Sequence, residues 1–374
     1  MKIAIVSQGI PTSRYPLNGV FEFDQAKALA KAGIEVALIA IDFRSGKFKR
    51  KYGLMEYESE GVSIFELSLP IGVYRRALPI LQRLLFIPFK AMLKKFGKPQ
   101  IVHAHFYSIA AIACKLKKKY DIPFIVTEHS SKLNKPIQGI SKLDQRLAKK
   151  AYRYCDQLIC VSKTLSDNIF NNFGKNSVII PNMVDDSVFE CHDATIGTEP
   201  FVFVSVGSLK PIKSFDKLID AFAKLKGEAK LFIIGDGTER RKLTNQIIQL
   251  GLKDHVHLLG QLERCVINQV FQKSHAFVLA SKSETFGVSY IEAMYAGLPV
   301  IATRCGGPES FVDKSNGLLV PVDDEQALTQ ALEDMKRHYT AFDRLGISQT
   351  CHKRFSPTTV ANEIIKTYQS KLGF

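Results

Sequence analysis

The sequence predicts an α/β protein with two doubly wound parallel sheets, each in its own domain. Three observations predict it. Short runs rich in Val, Ile, Leu and Phe alternate with helix-length amphipathic segments, the order that parallel strands joined by crossover helices require. The alternation stops at a polar stretch, Glu190-Cys191-His192-Asp193-Ala194-Thr195-Ile196-Gly197-Thr198-Glu199-Pro200, and then begins again. The chain of 374 residues, 46% hydrophobic, has the length for two or three domains and the apolar content for their cores. The expected domains are residues 1–190 and 198–355, with residues 356–374 returning to the first.

In chain order, Ile3–Ser7, Val36–Ala40, Ile64–Leu67, Ile101–Ala104, Phe124–Thr127 and Gln157–Val161 read as buried strands, and Val178–Pro181 adds another. Phe21–Ala32 is an amphipathic helix stopped by Gly33, a residue suited to the left-handed conformation of a helix end. The second domain repeats the pattern with Phe201–Val206, Lys230–Ile234, Val256–Leu259, His275–Leu279, Pro299–Ala302 and Gly317–Val320. Ser356 then caps a terminal helix over Pro357–Tyr368.

Composition narrows the function classes. The seven cysteines, at 114, 155, 160, 191, 265, 305 and 351, are scattered, with neither zinc-site nor redox spacing, as buried thiols of a cytosolic protein would be. No apolar run reaches membrane-spanning length, and Met1-Lys2-Ile3-Ala4-Ile5-Val6-Ser7 reads as a first strand rather than a signal peptide. The net charge of +15 is unevenly held: residues 1–190 carry 29 Lys and Arg against 16 Asp and Glu, and the remainder 22 against 20. Leu67 to Tyr120 contains eleven basic residues and no acid. A basic first half suggests an anionic partner, whether membrane surface, nucleic acid or polyanionic substrate. No recognition motif or interleaving of aromatic and basic residues supports nucleic acid.

The most informative segment runs from Ser283 to Ala293, with Glu284 and Glu292 on either side of a helix start at Phe286-Gly287-Val288. Exposed glutamates in such a segment are usually ordinary surface. Here a strand precedes the segment and another follows it, which puts both carboxylates near the carboxyl end of a sheet, where open α/β folds bind ligands. The backbone N–H groups of a helix N-terminus attract phosphate, and flanking carboxylates accept hydrogen bonds from hydroxyls. Hydroxyl, diphosphate, hydroxyl is the outline of a nucleotide sugar. Val206-Gly207-Ser208-Leu209-Lys210-Pro211-Ile212-Lys213 is a strand and a loop with two lysines suited to diphosphate. Ile234-Gly235-Asp236-Gly237 and Cys305-Gly306-Gly307-Pro308-Glu309 are further Gly-rich turns, the former lacking the third glycine of the dinucleotide fingerprint. In the first half, Asn18-Gly19-Val20 opens the long helix, where glycine lets backbone approach a ligand. His103 and His105 share one side of a strand, so a metal is admissible there, although no carboxylate or cysteine cluster completes a site. His129, at the end of another strand, is the stronger functional candidate.

Tyr74–Gly97 has Arg76, Arg83, Lys90 and Lys94 on one helical face and Leu81, Leu85, Phe89, Met92 and Phe96 on the other, with Pro79 and Pro88 as breaks. It suits either a surface helix over a domain core or an interfacial helix on anionic lipid.

In order, spacing and coverage, these segments resemble the retaining glycosyltransferases of family 4. The parts are the Gly19 loop, His103-Ala104-His105, Thr127-Glu128-His129, Ile180-Pro181-Asn182-Met183-Val184-Asp185 with Phe189, Gly207 to Lys213, Gly235-Asp236-Gly237, the Glu284–Glu292 element and Gly317-Leu318-Leu319-Val320. The resemblance covers nearly the whole chain and implies the GT-B fold, two Rossmann-like domains facing across a cleft. It implies that Glu292 meets the donor ribose, and that Glu284 and the amides of Phe286, Gly287 and Val288 meet the donor sugar and diphosphate. Lys213 would neutralise the leaving diphosphate, Gly19 would face the distal phosphate, and His129 would sit beside the transferred sugar. Where members often carry Arg after the loop glycine this chain has Ser208, with Lys210 nearby. The usual glycine after the loop lysine is here Ser214.

The resemblance therefore implies a hexosyl transfer with retention from a UDP- or GDP-sugar, UDP favoured, to a hydroxyl of a lipid-linked acceptor in capsule, exopolysaccharide or lipopolysaccharide assembly. The expected location is cytoplasmic, peripheral to the inner face of the membrane. No cofactor and no metal are expected, since no Asp-x-Asp pattern is present and cationic residues serve the diphosphate. The alternatives are a nucleotide-sugar 2-epimerase of the same fold and a nucleic-acid-binding module. An NAD oxidoreductase is disfavoured by the missing fingerprint.

Overall fold

The computed structural model describes residues 1–15, 17–72, 78–191 and 200–373. The chain divides into two units, one formed by Met1–Met183 with Pro357–Phe374 and the other by Val184–Ser356. The change of unit comes at Met183 rather than in the polar stretch 190–200. Local contacts explain the earlier position. Val184 N–H bonds to the Phe355 carbonyl at 3.1 Å, and Phe189, fully buried, packs on Phe271 of the second unit. Residues 192–199 lie outside the described residues.

The first unit holds β1 (Lys2–Ser7), β2 (Glu35–Asp42), β3 (Gly53–Ser59), β4 (Val62–Ser68), β5 (Ile101–His105), β6 (Phe124–Glu128), β7 (Gln157–Cys160) and β8 (Val178–Ile179). Their order across the sheet is β3-β4-β2-β1-β5-β6-β7-β8. Ile3, Ala4, Ile5 and Val6 have no exposed surface, as a central parallel strand covered on both faces requires. The edge strand β3, which the sequence reading did not anticipate, runs antiparallel to β4. Its residues, Gly-Leu-Met-Glu-Tyr-Glu-Ser, lack both a continuous apolar run and a clean alternation.

The helix Val20–Lys31 ends as expected. Gly33 adopts φ 84°, its N–H bonds to Ala30 O, and the Ile34 N–H reaches back to Leu29 O. The helix Pro357–Leu372 lays Val360, Ala361, Ile364 and Tyr368 into the same core as Ile5, Phe23 and Leu29. Pro357 suits its first position, where a missing N–H costs no helical bond.

The basic segment forms two helices, Leu78–Leu84 and Phe86–Lys95. Pro88 falls in the first turn of the second, where its N–H has no intrahelical acceptor. Leu81, Leu85, Phe89 and Met92 are at most 1% exposed. The apolar face considered for a bilayer is therefore core, because it fills the space over the sheet. Arg83, Lys90 and Lys94 stay exposed, and so do Ile80 and Ile87. Arg76 lies outside the described residues. No helix among the described residues is long and apolar enough to cross a membrane.

The second unit holds β9 (Phe201–Val206), β10 (Ala229–Ile234), β11 (Val256–Gly260), β12 (Ala276–Leu279), β13 (Val300–Thr303) and β14 (Gly317–Val320). The order is β11-β10-β9-β12-β13-β14, all parallel. This is the doubly wound Rossmann order, and its chain reversal lies between β9 and β12.

The terminal helix should carry much of the stability of the first unit. Ile364→Ala is expected to destabilise that unit by about 2–4 kcal/mol, the cost of a large-to-small change in a packed core. Urea unfolding followed by circular dichroism measures it, and a change below about 1 kcal/mol would show that the helix is only loosely docked.

Candidate functional site

In the second unit the loops after β9 and β12 meet at the reversal of strand order. Ile212 O accepts from the Lys282 N–H at 2.8 Å and joins them. The first loop turns through a short 3-10 segment, Pro211–Lys213, into Ser214, whose φ of 49° and ψ of 41° are left-handed. That conformation is the physical reason a glycine suits this position. The turn aims Lys213 at the second loop, where its Nζ lies 2.5 Å from Glu284 Oε1. Ser281 Oγ donates to the same oxygen at 2.7 Å. Glu284 is 8% exposed, and its buried charge is thus matched by a cation and a hydroxyl.

Gly287, at φ 98°, caps the helix Val288–Tyr295. Tyr290 Oη donates to Leu279 O at 2.8 Å and fixes this helix to the end of β12. The Phe286 side chain packs on Phe311 and Phe355, so only its backbone can serve a ligand. Glu292 is buried within the helix, and Arg264 Nε stands 3.9 Å from its Oε1. Arg264 was not singled out from the sequence. Its signal is faint, a basic residue opening the helix Arg264–Gln272 shortly after β11. Ser208 and Lys210 are exposed on the loop after β9. That loop is held close to its neighbour at Gly235, where a Cβ would lie 2.0 Å from the Gly207 carbonyl oxygen.

In the first unit His103 and His105, at the end of β5, and His129, just past β6, form one stack. The ring centroids are 4.8 Å and 5.2 Å apart, with interplanar angles of 23° and 9°. Hydrogen bonds assign the proton position of His103. His103 Nδ1 accepts from Tyr368 Oη at 2.7 Å and from the Gln25 amide at 3.2 Å, so its proton is on Nε2, donating to Thr127 Oγ1 at 2.7 Å. His105 Nδ1 and His129 Nε2 are 3.0 Å apart, so one ring donates to the other, while His105 Nε2 and His129 Nδ1 are both buried without a partner. Burial pushes His103 down to about 3 and His129 down to about 4, the latter opposed by Asn182, and it also pushes His105 well below the ordinary range. The stack is neutral at pH 7, and its nitrogens bond to one another and to hydroxyls. Among the described residues no group of three or more His, Cys, Asp or Glu could hold a metal ion.

Two buried acids in this unit were not foreseen. Glu128 has no exposed surface and accepts from Tyr107 N, Ser130 N, His129 N and Tyr152 Oη. It thereby shapes the loop that carries His129, while burial raises its pKa to about 7. Glu22, in the first turn of the helix Val20–Lys31, is likewise raised to about 7 by burial. Gly19 caps that helix at φ 70°, and a Cβ there would meet the Gly9 carbonyl at 2.1 Å. The tight neighbour of Gly19 is thus its own loop after β1.

This fold and these loops match two family models. Glycosyltransferase Family 4 matches residues 20–188 and Glycosyl transferases group 1 matches residues 192–345. The chain belongs to these glycosyltransferases and has their GT-B fold of two Rossmann-like domains. It is similar to TuaC of Bacillus subtilis (strain 168), provisionally named a teichuronic acid biosynthesis glycosyltransferase, at 27% identity over 89% of this chain and 88% of that one. Among solved structures it is similar to sucrose-phosphate synthase from Thermosynechococcus elongatus, with a TM-score of 0.85 and 19% identity over 100% of this chain and 99% of that one. It is also similar to Anabaena HepE in complex with UDP, with a TM-score of 0.77 and 22% identity over 99% of this chain and 100% of that one.

The buried stack should govern stability against acid. A histidine whose folded pKa is depressed binds fewer protons than in the unfolded chain, so its contribution is lost as pH falls through the ordinary value of 6.5. Glu22 and Glu128, raised from 4.5 to about 7, act oppositely within that window. Below pH 4.5 their offset is spent while the histidine term persists. His103→Gln should therefore flatten the loss of unfolding free energy, read from urea titrations between pH 6.5 and 4, by up to about 1.4 kcal/mol per pH unit for one proton. Parallel slopes in the two proteins would remove His103 from this account.

Proposed function

We propose that this glycosyltransferase moves a hexosyl group from a uridine diphosphate sugar to a hydroxyl acceptor with retention and without a metal. The observation that carries the reading is the Lys213–Glu284 pair at the reversal of strand order, beside the N-terminus of the helix that bears Glu292. Lys213 has three N–H donors, and Glu284 engages one of them. The remaining donors suit the oxygens of a departing diphosphate, on which negative charge grows as the glycosidic bond breaks. Arg264, beside Glu292, is a second cation for that charge and answers the absence of an arginine at Ser208. Glu292 accepts from ribose hydroxyls, Glu284 from a hydroxyl of the donor sugar, and the amides of Gly287 and Val288 donate to phosphate. The UDP in the Anabaena structure supports the choice of base.

Retention follows if a phosphate oxygen of the leaving group takes the acceptor proton on the face from which the sugar departs. His129, neutral because burial holds its pKa at about 4, then serves as a hydrogen-bonding group beside the sugar rather than as a charged one. Gly19 adds backbone N–H groups for the distal phosphate. The acceptor is lipid-linked in this reading, as for a surface polysaccharide, with support from the teichuronic acid relative and the exposed Arg83, Lys90 and Lys94. These cations, with Ile80 and Ile87 among them, suit the inner face of an anionic membrane.

Calorimetry with UDP tests the donor site. Glu292→Gln should weaken binding by about 1–3 kcal/mol, the scale of a charge-assisted hydrogen bond. Unchanged affinity would refute the ribose assignment. Lys213→Ala should reduce turnover by at least about tenfold in protein that circular dichroism shows to be folded, with some loss of thermal midpoint because Glu284 loses its cation. Activity within a fewfold would sink its role at the diphosphate. On the first unit, replacing Arg83, Lys90 and Lys94 together with Glu should abolish co-sedimentation with anionic vesicles and spare UDP binding. Co-sedimentation that survives the triple change would refute the membrane assignment.

A further inference from the structure

A cleft lies wholly within the first unit, and none of the three stacked histidines lines it. It measures about 690 Å³ and opens at the carboxyl ends of β1, β2 and β4. One wall is built around Asp42, 2% exposed at the end of β2. Arg44 grips both carboxylate oxygens through Nε and Nη2, at 2.6–3.1 Å. Its guanidinium lies over the rings of Tyr15 at 4.5 Å and Phe48 at 5.0 Å. Arg50 also reaches Asp42 and binds the Ser68 hydroxyl and the carbonyls of Arg44, Phe48 and Leu69. These two arginines are structural staples of the loop after β2. The opposite wall is Met55 and Tyr57 of β3 with Glu66 of β4, and Tyr57 Oη donates to Glu66 at 3.2 Å.

With Asp42 matched by its arginines and Glu66 by Tyr57, the other cations of the cleft are in excess. Arg14, Lys49 and Lys51 line it, and all three are exposed. The remaining acid, Glu56, is engaged by Lys95. The cleft thus presents unmatched cations to an anion, the half-exposed ring of Tyr57 to an apolar face, and carboxylate oxygens at Glu66 to hydroxyls. An anion, a flat C–H face and hydroxyl groups on one small molecule describe a charged sugar.

The geometry points to this cleft as a binding site for a saccharide that carries a phosphate or a carboxylate, with Arg14 and Lys49 on the anion and Tyr57 against the ring. It rests on the proposed function only in taking that saccharide as the acceptor. Binding itself requires neither donor nor turnover.

Calorimetry on the full chain tests it with four probes: methyl β-D-glucuronide, glucose 1-phosphate, methyl β-D-glucoside and inorganic phosphate. At least one charged sugar should bind about fivefold or more tighter than the neutral glucoside, and the tighter of the two identifies the anion. Arg14→Ala and Lys49→Ala should each weaken that sugar by about tenfold, the factor that a charge-assisted hydrogen bond carries. Tyr57→Ala should weaken the sugar and leave inorganic phosphate unaffected. Equal binding of the neutral and charged sugars would overturn the proposal. So would phosphate binding as tightly as glucose 1-phosphate, or charged-sugar affinity indifferent to both cation changes. UDP titrated into the same samples separates the two readings. UDP that fails to bind the unmodified protein refutes the donor site and leaves this cleft standing, and the reverse result refutes the cleft alone.

Discussion

Parallel strands must be joined by crossovers that return over a face of the sheet, and most features of both units depend on that constraint. Each loop that follows a parallel strand opens at the same edge of its sheet. Where successive crossovers part to opposite faces, beside the first strand, the edge is left with a gap. In the second unit the gap lies between β9 and β12, and Lys213 and Glu284 come from the two loops that border it. In the first unit the equivalent strands are β1 and β5, with Gly19 in the loop of one and His105 at the end of the other. Backbone packs directly on backbone in the loops after β9 and β1, where Gly235 meets Gly207 and Gly19 meets Gly9. A side chain at Gly235 or Gly19 would push these backbone segments apart.

The carboxylate–lysine pair of the second unit and the histidine stack of the first manage buried polarity in opposite ways. The second buries a charged pair and matches it with a hydroxyl from Ser281. The first keeps its imidazoles neutral and passes hydrogen bonds from Tyr368 through His103 to Thr127, with His105 and His129 paired beside them. A fixed charge suits a group that must face phosphate, because Coulomb attraction survives small errors of position. A neutral hydrogen-bonding group suits a role that must discriminate geometry, because its strength depends on angle.

Central strands such as β1, β6 and β12 were legible because burial on both faces leaves continuous apolar runs that periodicity detects. The edge strand β3 was not, because one side of an edge meets water and its residues are mixed. Glu284, Glu292 and Lys213 were legible from their places next to strand ends. Arg264 was not, since its approach to Glu292 joins different crossovers and leaves no trace in spacing. Glu128 and Tyr368 were hidden for a similar reason. Each looks ordinary in its own segment and acquires a role only from a distant partner, His103 and Tyr368 being 265 positions apart. The apolar stripe of the basic segment was legible as amphipathic, but periodicity alone could not say whether core or bilayer lay beneath it.

The first unit is made of two pieces of chain with the entire second unit between them. During synthesis the residues of β1 to β8 leave the ribosome well before Val360, Ile364 and Tyr368 exist. At roughly 5–20 residues per second, translating the intervening unit takes on the order of ten seconds or more, far longer than most secondary structure needs to form. Through that interval the groove awaiting the last helix is apolar and open, and His103 lacks its tyrosine. The second unit can close in the meantime, since its residues are continuous. The order of maturation is therefore the reverse of the order of translation, and a nascent chain is vulnerable to aggregation at the groove between the two events.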